Sequence, residues 1–203
     1  MMSLSPASQK LSLDAQGWLK PQAGVARLLS PNQTKRPPAA PIELLVIHNI
    51  SLPPGRFGGP EVIDFFLNRL DHDSDPFLAS LRGLQVSTHF FVRRDGSIVQ
   101  FVSTLDRAWH AGVSLFEGRM RCNDFSIGLE LEGTDELPYE EAQYLALAAL
   151  TAALRARHPL RAAHGHEHIA PVRKTDPGPA FDWQRYAQSA DWLPHQLPEP
   201  LRG

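Results

Sequence analysis

The stretch Ile42–Ile50, IELLVIHNI, decides the fold. It is a short apolar run with Pro41 before it and Pro53 and Pro54 soon after. That is the pattern of a strand buried on both faces. Upstream, PNQTKRPPAAP (31–41) is too rich in proline for a helix or an internal strand. Downstream, SLPPGRFGG (51–59) breaks the run. PEVIDFFLNRL (60–70) then has helical spacing, with Val62, Phe65, Phe66 and Leu70 on one side.

Further along, VSTHFFVRRDGSIVQFV (86–102) reads as a hairpin, with Asp95 and Gly96 supplying the positive φ angles of a tight turn. FSIGLELEG (125–133) alternates: Ile127, Leu129 and Leu131 face one way, Gly128, Glu130 and Glu132 the other. PYEEAQYLALAALTAALRARHP (138–159) is a helix with Tyr144, Leu147, Leu150 and Leu154 as its buried stripe. Glutamates occupy its first turn, arginines its last, and Pro159 stops it. The order strand, helix, hairpin, strand, helix, loop predicts a single mixed α/β domain. Residues 1–16 read as a flexible leader, 17–190 as the domain and 191–203 as a C-terminal tail.

The chain has 203 residues and a formal net charge of −2. Such a balance gives no general attraction to nucleic acid or to an anionic membrane. The single cysteine, Cys122, has no partner for an internal disulfide. The first twenty residues hold no apolar run of signal-peptide length, and no segment reaches membrane-spanning length. The expectation is a soluble, reduced, cytoplasmic protein with no obligate protein partner.

His48 stands at the exit of the first strand, where a histidine either projects into a cleft or bonds a backbone carbonyl in the core. GHEHIAPVRKTDPGPAF (165–181) concentrates ionisable residues in a segment poor in core formers. His164, His166 and His168 share a face if the segment is extended. Asp176 is biased toward extended backbone by Pro177. A catalytic zinc takes three nitrogen or oxygen ligands and leaves a position for water. One distant histidine with a histidine and a carboxylate from this loop fills that requirement; a solvated polar loop is the other reading. Glu130 and Glu132 are roughly 6.5–7 Å apart along a strand. Either serves as a general base beside a metal. Together they also suit a paired-carboxylate glycosidase, or lie solvated on an exposed sheet face. Lys174 is placed either to stabilise an oxyanion or at the surface.

Taken together, LLVIHNISLPPGRFGG (44–59), RRDGSIVQFV (93–102), RAWHAG (107–112), RCNDFSIGLELEGTD (121–135) and GHEHIAPVRKTDPGPAFDW (165–183) resemble one family. It is the AmpD family of type 2 N-acetylmuramoyl-L-alanine amidases, the cytosolic zinc 1,6-anhydro-N-acetylmuramyl-L-alanine amidases of Gram-negative bacteria. The similarity runs from GWL (17–19) to about Tyr186. It implies a central mixed β-sheet flanked by helices, as in peptidoglycan recognition proteins. It implies zinc held by His48, His166 and Asp176, with Glu130 as catalytic acid/base and Lys174 stabilising the oxyanion. His164 and His168 become bystanders to the metal; many relatives read GHCDIAP where this chain reads GHEHIAP. Asn49, Trp109 and Arg121 fall at positions near the bound muropeptide in relatives, while His89 and His110 are cleft or supporting histidines. Gln85 stands where some relatives carry arginine. The implied activity is hydrolysis of the amide between anhydro-N-acetylmuramic acid and L-alanine, in cell-wall recycling. A peptidoglycan-binding module without catalysis and the Glu130/Glu132 glycosidase are the rival classes.

Overall fold

The computed structural model describes residues 10–38 and 40–199. Its centre is a six-stranded mixed sheet built around the apolar stretch Ile42–Ile50. Strand β3 (Leu44–Ile50) lies between β9 (Ser126–Glu132) and β10 (Ala162–Gly165). The order continues outward from β9 through β4 (Phe90–Val92) and β5 (Ile98–Gln100) to β1 (Val25–Arg27). Strands β4, β9, β3 and β10 run parallel; β5 is antiparallel to β4. A parallel strand needs cover on both sides, which is why residues 44–48 are buried throughout.

One face packs on α3 (Glu141–Arg155) and α5 (Trp183–Ser189). There Leu45, Ile47, Ile127, Leu129 and Leu131 meet Tyr144, Leu147, Leu150 and Leu154, the predicted stripe. Gln143 fastens α3 to the sheet. Its Oε1 accepts from the Glu140 N–H at 3.0 Å, and its Nε2 donates to the Glu132 carbonyl at 3.0 Å. The opposite face is covered partly by α1 (Glu61–Phe66) and α2 (Pro76–Ser80), whose Val62, Phe66 and Leu78 pack on Phe91, Val99 and Phe101. The predicted helical spacing holds through Phe66; Leu70 is buried just beyond that helix. Two ribbons complete the fold: β2 (Gln33–Lys35) with β6 (Asp106–Ala108), and β7 (Leu115–Phe116) with β8 (Arg119–Met120).

The structure differs from the sequence reading in four places. The hairpin joining β4 to β5 has positive φ at Gly96 alone, not at Asp95; the Gly96 N–H closes onto Arg93 and the Arg93 N–H onto Ser97. The Gly128, Glu130, Glu132 face of β9 is buried rather than exposed, because segments beyond the sheet fold over it. His164 ends β10 while His166 and His168 belong to a short helix, α4 (His166–Ile169), so the three histidines do not share an extended face. The expected domain edges are packed: Leu11 from the leader, and Trp192 and Leu197 from the tail, are buried in the main core. Residues 1–9 of that leader and 200–203 of that tail lie outside the described residues.

Candidate metal centre and active site

The site forms where parallel strands end. Such an edge exposes the carboxyl ends of several strands to one crevice. His48 is the fifth residue of β3 and pairs in register with Glu130 of β9, so the two side chains rise from the same face of neighbouring strands. His166 begins α4 directly after β10, which pairs with β3. Asp176 returns along the loop after α4, and its carbonyl accepts from the Glu167 N–H at 2.9 Å. Chain segments more than a hundred residues apart thereby converge.

Three donor atoms make a nearly equilateral triangle. His48 Nδ1 lies 3.0 Å from His166 Nδ1 and 2.9 Å from Asp176 Oδ2, and His166 Nδ1 lies 3.2 Å from the same oxygen. Ligands of a four-coordinate site with bonds near 2.1 Å are about 3.4 Å apart, so the triangle fits an ion with little movement. Each far ring nitrogen is occupied elsewhere. His166 Nε2 meets the Ala111 carbonyl at 3.1 Å, and His48 Nε2 meets His110 Nδ1 at 3.0 Å. With ring protons on those nitrogens, three lone-pair donors face one another, an arrangement that calls for a cation at its centre. His48, His166 and Asp176 are the group among the described residues with metal-holding geometry.

The electrostatics follow from burial and proximity. Burial, reinforced by His166, lowers the His48 pKa to about 4, so the ring is neutral and able to ligate. Burial works against the Asp176 carboxylate, yet with no ion in the triangle the His166 and His48 rings can turn a proton toward its Oδ2, and this outweighs burial and holds the group far below the ordinary range. Glu130 goes the other way. Burial and the Asp176 charge push its carboxyl well above 4.5, with Lys174 opposing them. Its Oε2 is buried and has no partner among the described residues. A buried carboxyl kept near its proton beside a metal-type triad has the character of an acid/base group.

Glu132, two residues on, is committed elsewhere. Its Oε1 accepts from the Gly58 N–H at 2.6 Å and its Oε2 from the Arg94 N–H at 3.1 Å. It ties the SLPPGRFGG loop and the hairpin turn to the sheet, so spacing left open a choice that hydrogen bonding closes. Lys174 is half-buried and close enough to act on the charges of both Glu130 and His48.

The expected substrate-binding residues are more dispersed. Trp109 is half-buried after β6, its indole N–H 3.4 Å from Thr34 Oγ1. Arg121 is exposed, with φ +64°, and its Nε lies 3.3 Å from Asp124 Oδ2. Asn49 lies on the opposite face of β3 from His48. Its amide donates to Asp135 Oδ1 at 2.7 Å and to the Pro177 carbonyl at 3.1 Å, bracing the loop that carries Asp176. The His164 and His168 rings meet edge-to-face with centroids 5.8 Å apart and are not part of the triad, and the His168 Nδ1 accepts from the Gly165 N–H at 3.0 Å. His89 accepts from the Gly128 N–H at 3.0 Å and packs against His110. Sequence reasoning did not pick out Asn123 or Tyr139. Asn123 receives the His110 and Ala111 N–H groups, and Tyr139 donates to the Pro177 carbonyl at 2.8 Å. No residue pattern marks such contacts, which depend on how loops meet.

Fold and site together define a class: a mixed-sheet domain with a three-donor centre of metal-binding geometry and a buried carboxyl on the adjacent strand. The N-acetylmuramoyl-L-alanine amidase profile matches residues 38–179, and the chain belongs to that family. It is 56% identical over 173 residues to the 1,6-anhydro-N-acetylmuramyl-L-alanine amidase AmpD of Escherichia coli strain K12, covering 84% of this chain and 93% of that protein. The crystal structure of a selenomethionine AmpD derivative superposes with a TM-score of 0.83 at 52% identity, covering 87% of this chain and 98% of that one. The amidase AmiD of E. coli, solved with the substrate anhydro-N-acetylmuramic acid-L-Ala-D-γ-Glu-L-Lys, superposes with a TM-score of 0.54 at 31% identity, covering 89% of this chain and 65% of that one.

Proposed function

We propose that this chain is a zinc-dependent amidase that hydrolyses the bond between the lactyl group of 1,6-anhydro-N-acetylmuramic acid and L-alanine of muropeptides. The observation that carries the reading is the triangle of His48 Nδ1, His166 Nδ1 and Asp176 Oδ2 with Glu130 on the neighbouring strand. The name of the 56%-identical relative supports the substrate. When bound, zinc supplies Lewis-acid polarisation of the scissile carbonyl and a lowered pKa for the attacking water. A cation held by the triad would offset the burial and the Asp176 charge and favour the Glu130 carboxylate, which would then receive the proton of the attacking water as the new C–O bond forms. It then delivers the proton to the alanine nitrogen as the C–N bond breaks. Lys174 sets an ammonium beside the developing oxyanion. Trp109 covers a sugar face, Arg121 grips a peptide carboxylate, and Asn49 offers its amide oxygen to a peptide N–H. The products are a muramyl carboxylate and a free peptide.

The wider setting is turnover of cell-wall fragments in the cytoplasm, with lower levels of β-lactamase inducer as a consequence. No described helix is long and apolar enough to cross a membrane. The glycosidase reading loses its second carboxylate to the Gly58 and Arg94 amides. A binding module without catalysis would not need a partnerless buried carboxyl beside the triad. The test is mass analysis of products from an anhydromuropeptide, alongside a zinc assay. Release of free peptide, abolished by chelator and restored by zinc, is expected; cleavage between sugars or full activity in chelator overturns the reading.

A further inference from the structure

The His110–Ala111 dipeptide lies against both histidines of the triad. The His110 ring presents Nδ1 to His48 Nε2 at 3.0 Å, and its Nε2 faces Ser126 Oγ at 3.2 Å. The next residue turns its backbone carbonyl to His166 Nε2 at 3.1 Å. One side chain anchors the pair from behind: Asn123 Oδ1 accepts from the His110 N–H at 3.2 Å and the Ala111 N–H at 2.8 Å. Strand β9 is hollowed to receive the ring, since a Cβ added at Gly128 would come within 2.6 Å of His110 Cγ. Arg173 adds a second donor to the Ala111 carbonyl at 2.8 Å.

An N···N contact of 3.0 Å holds one proton. If His48 is to keep Nδ1 bare, that proton sits on its Nε2, and His110 Nδ1 must accept. His110 then carries its own proton on Nε2 and donates to Ser126. The Ala111 carbonyl has no proton to give, so His166 must donate from Nε2 and leave its Nδ1 bare as well. The carbonyl thereby favours the His166 tautomer that aims a lone pair at the triangle, and the His110–Ser126 relay, able to run in either direction, supplies the acceptor that His48 needs once a cation claims its Nδ1.

We infer that His110 and the Ala111 carbonyl, fixed by Asn123, are positioning groups that set the tautomer and orientation of both histidine ligands. The inference rests on the metal reading of the triad. Zinc affinity of the full chain is measured by competition with a chromophoric chelator, with metal-free melting temperatures recorded alongside. His110→Phe keeps ring bulk but removes the acceptor, and should bind zinc ten- to hundredfold more weakly. His110→Asn places an acceptor near the old Nδ1 position and should recover most of that loss. Asn123→Leu should weaken zinc binding likewise, while Asn123→Asp, which keeps the acceptor oxygen, should not. A folded His110→Phe that binds zinc like the parent overturns the inference, and so does equal weakening by both members of a pair, the mark of simple packing. Should His110→Phe not fold, the Asn123 pair decides on the same criteria. A parent chain that binds no zinc removes the metal reading and this inference with it; a binding parent with unaltered variants removes the inference alone.

Discussion

Two glutamates two residues apart on one strand should fail in opposite ways when altered. Glu132 holds two backbone N–H groups, those of Gly58 and Arg94. Glu132→Ala strands both. Each abandoned buried donor costs about 1–3 kcal/mol. Gly58 is at the surface, so water satisfies part of the loss, and the sum is about 2 kcal/mol. For a chain of this size each kcal/mol moves the melting temperature by about 2–4 °C, giving a fall of about 4–8 °C. Glu130→Gln removes a buried carboxyl that has one oxygen without a partner, so its melting temperature should hold or rise. Its turnover should drop by about 10²- to 10⁴-fold, the range for a lost general acid/base. The assay pairs thermal melts with initial rates of peptide release from an anhydromuropeptide, at saturating zinc. The division of roles would be wrong if Glu132→Ala matched Glu130→Gln in lost turnover without losing stability. It would be equally wrong if Glu130→Gln melted well below the parent.

Lys174→Met should leave zinc affinity within a few-fold of the parent yet lower kcat by about a hundredfold, as for a missing oxyanion donor; single-turnover kinetics with a zinc titration separates the two effects. Metal-free protein should melt lower as pH falls from 6.5 toward 4. Burial depresses the folded-state pKa of His48, His158 and His164 to about 4, so in that window the unfolded chain binds protons the folded one refuses. Glu130 has the opposite sign, because a carboxyl raised in the folded state stabilises the fold below its unfolded pKa and loses that contribution as pH rises. Glu130→Gln should therefore show the steeper acid-side fall in melts recorded across pH in chelator. Gly128→Ala should weaken zinc binding by about tenfold through the displaced His110 ring, read by the same competition titration.

Elements whose signal is local were legible. The uniform apolar run at 42–50, the alternation at 125–133 and the stripe of Tyr144, Leu147, Leu150 and Leu154 each state their own burial, and the structure places them as sheet centre, neighbour and covering helix. The resemblance named the three residues that the fold brings within 3.2 Å. What stayed hidden depends on segments meeting. Nothing in GLELEG says that Glu132 will find two amide donors from other loops. The alternation of His164, His166 and His168 suggested one face, yet the segment is extended only to Gly165 and then coils into α4. A leader that looked loose buries Leu11 and packs Leu13 beside it, because two leucines among polar neighbours are too weak a signal to mark packing.

Asn49 illustrates why position beside a ligand does not imply the same task. It follows His48 in sequence, but adjacent residues on a strand point to opposite faces. Its amide donates to Pro177, the residue after Asp176, and Tyr139 donates to the same carbonyl from 90 positions further along the chain. Gly165 permits the approach, since a Cβ there would meet Pro177 Cδ at 2.6 Å. The carboxylate is thus braced through its neighbour's carbonyl, while the two histidines are braced through their far nitrogens by His110 and Ala111. The two histidines share one support, the His110–Ala111 dipeptide, and the carboxylate has another in Asn49 and Tyr139. A triangle with sides of 2.9–3.2 Å among mutually repelling lone pairs persists only where such supports are rigid, and here all are anchored to the parallel sheet or to loops tied onto it.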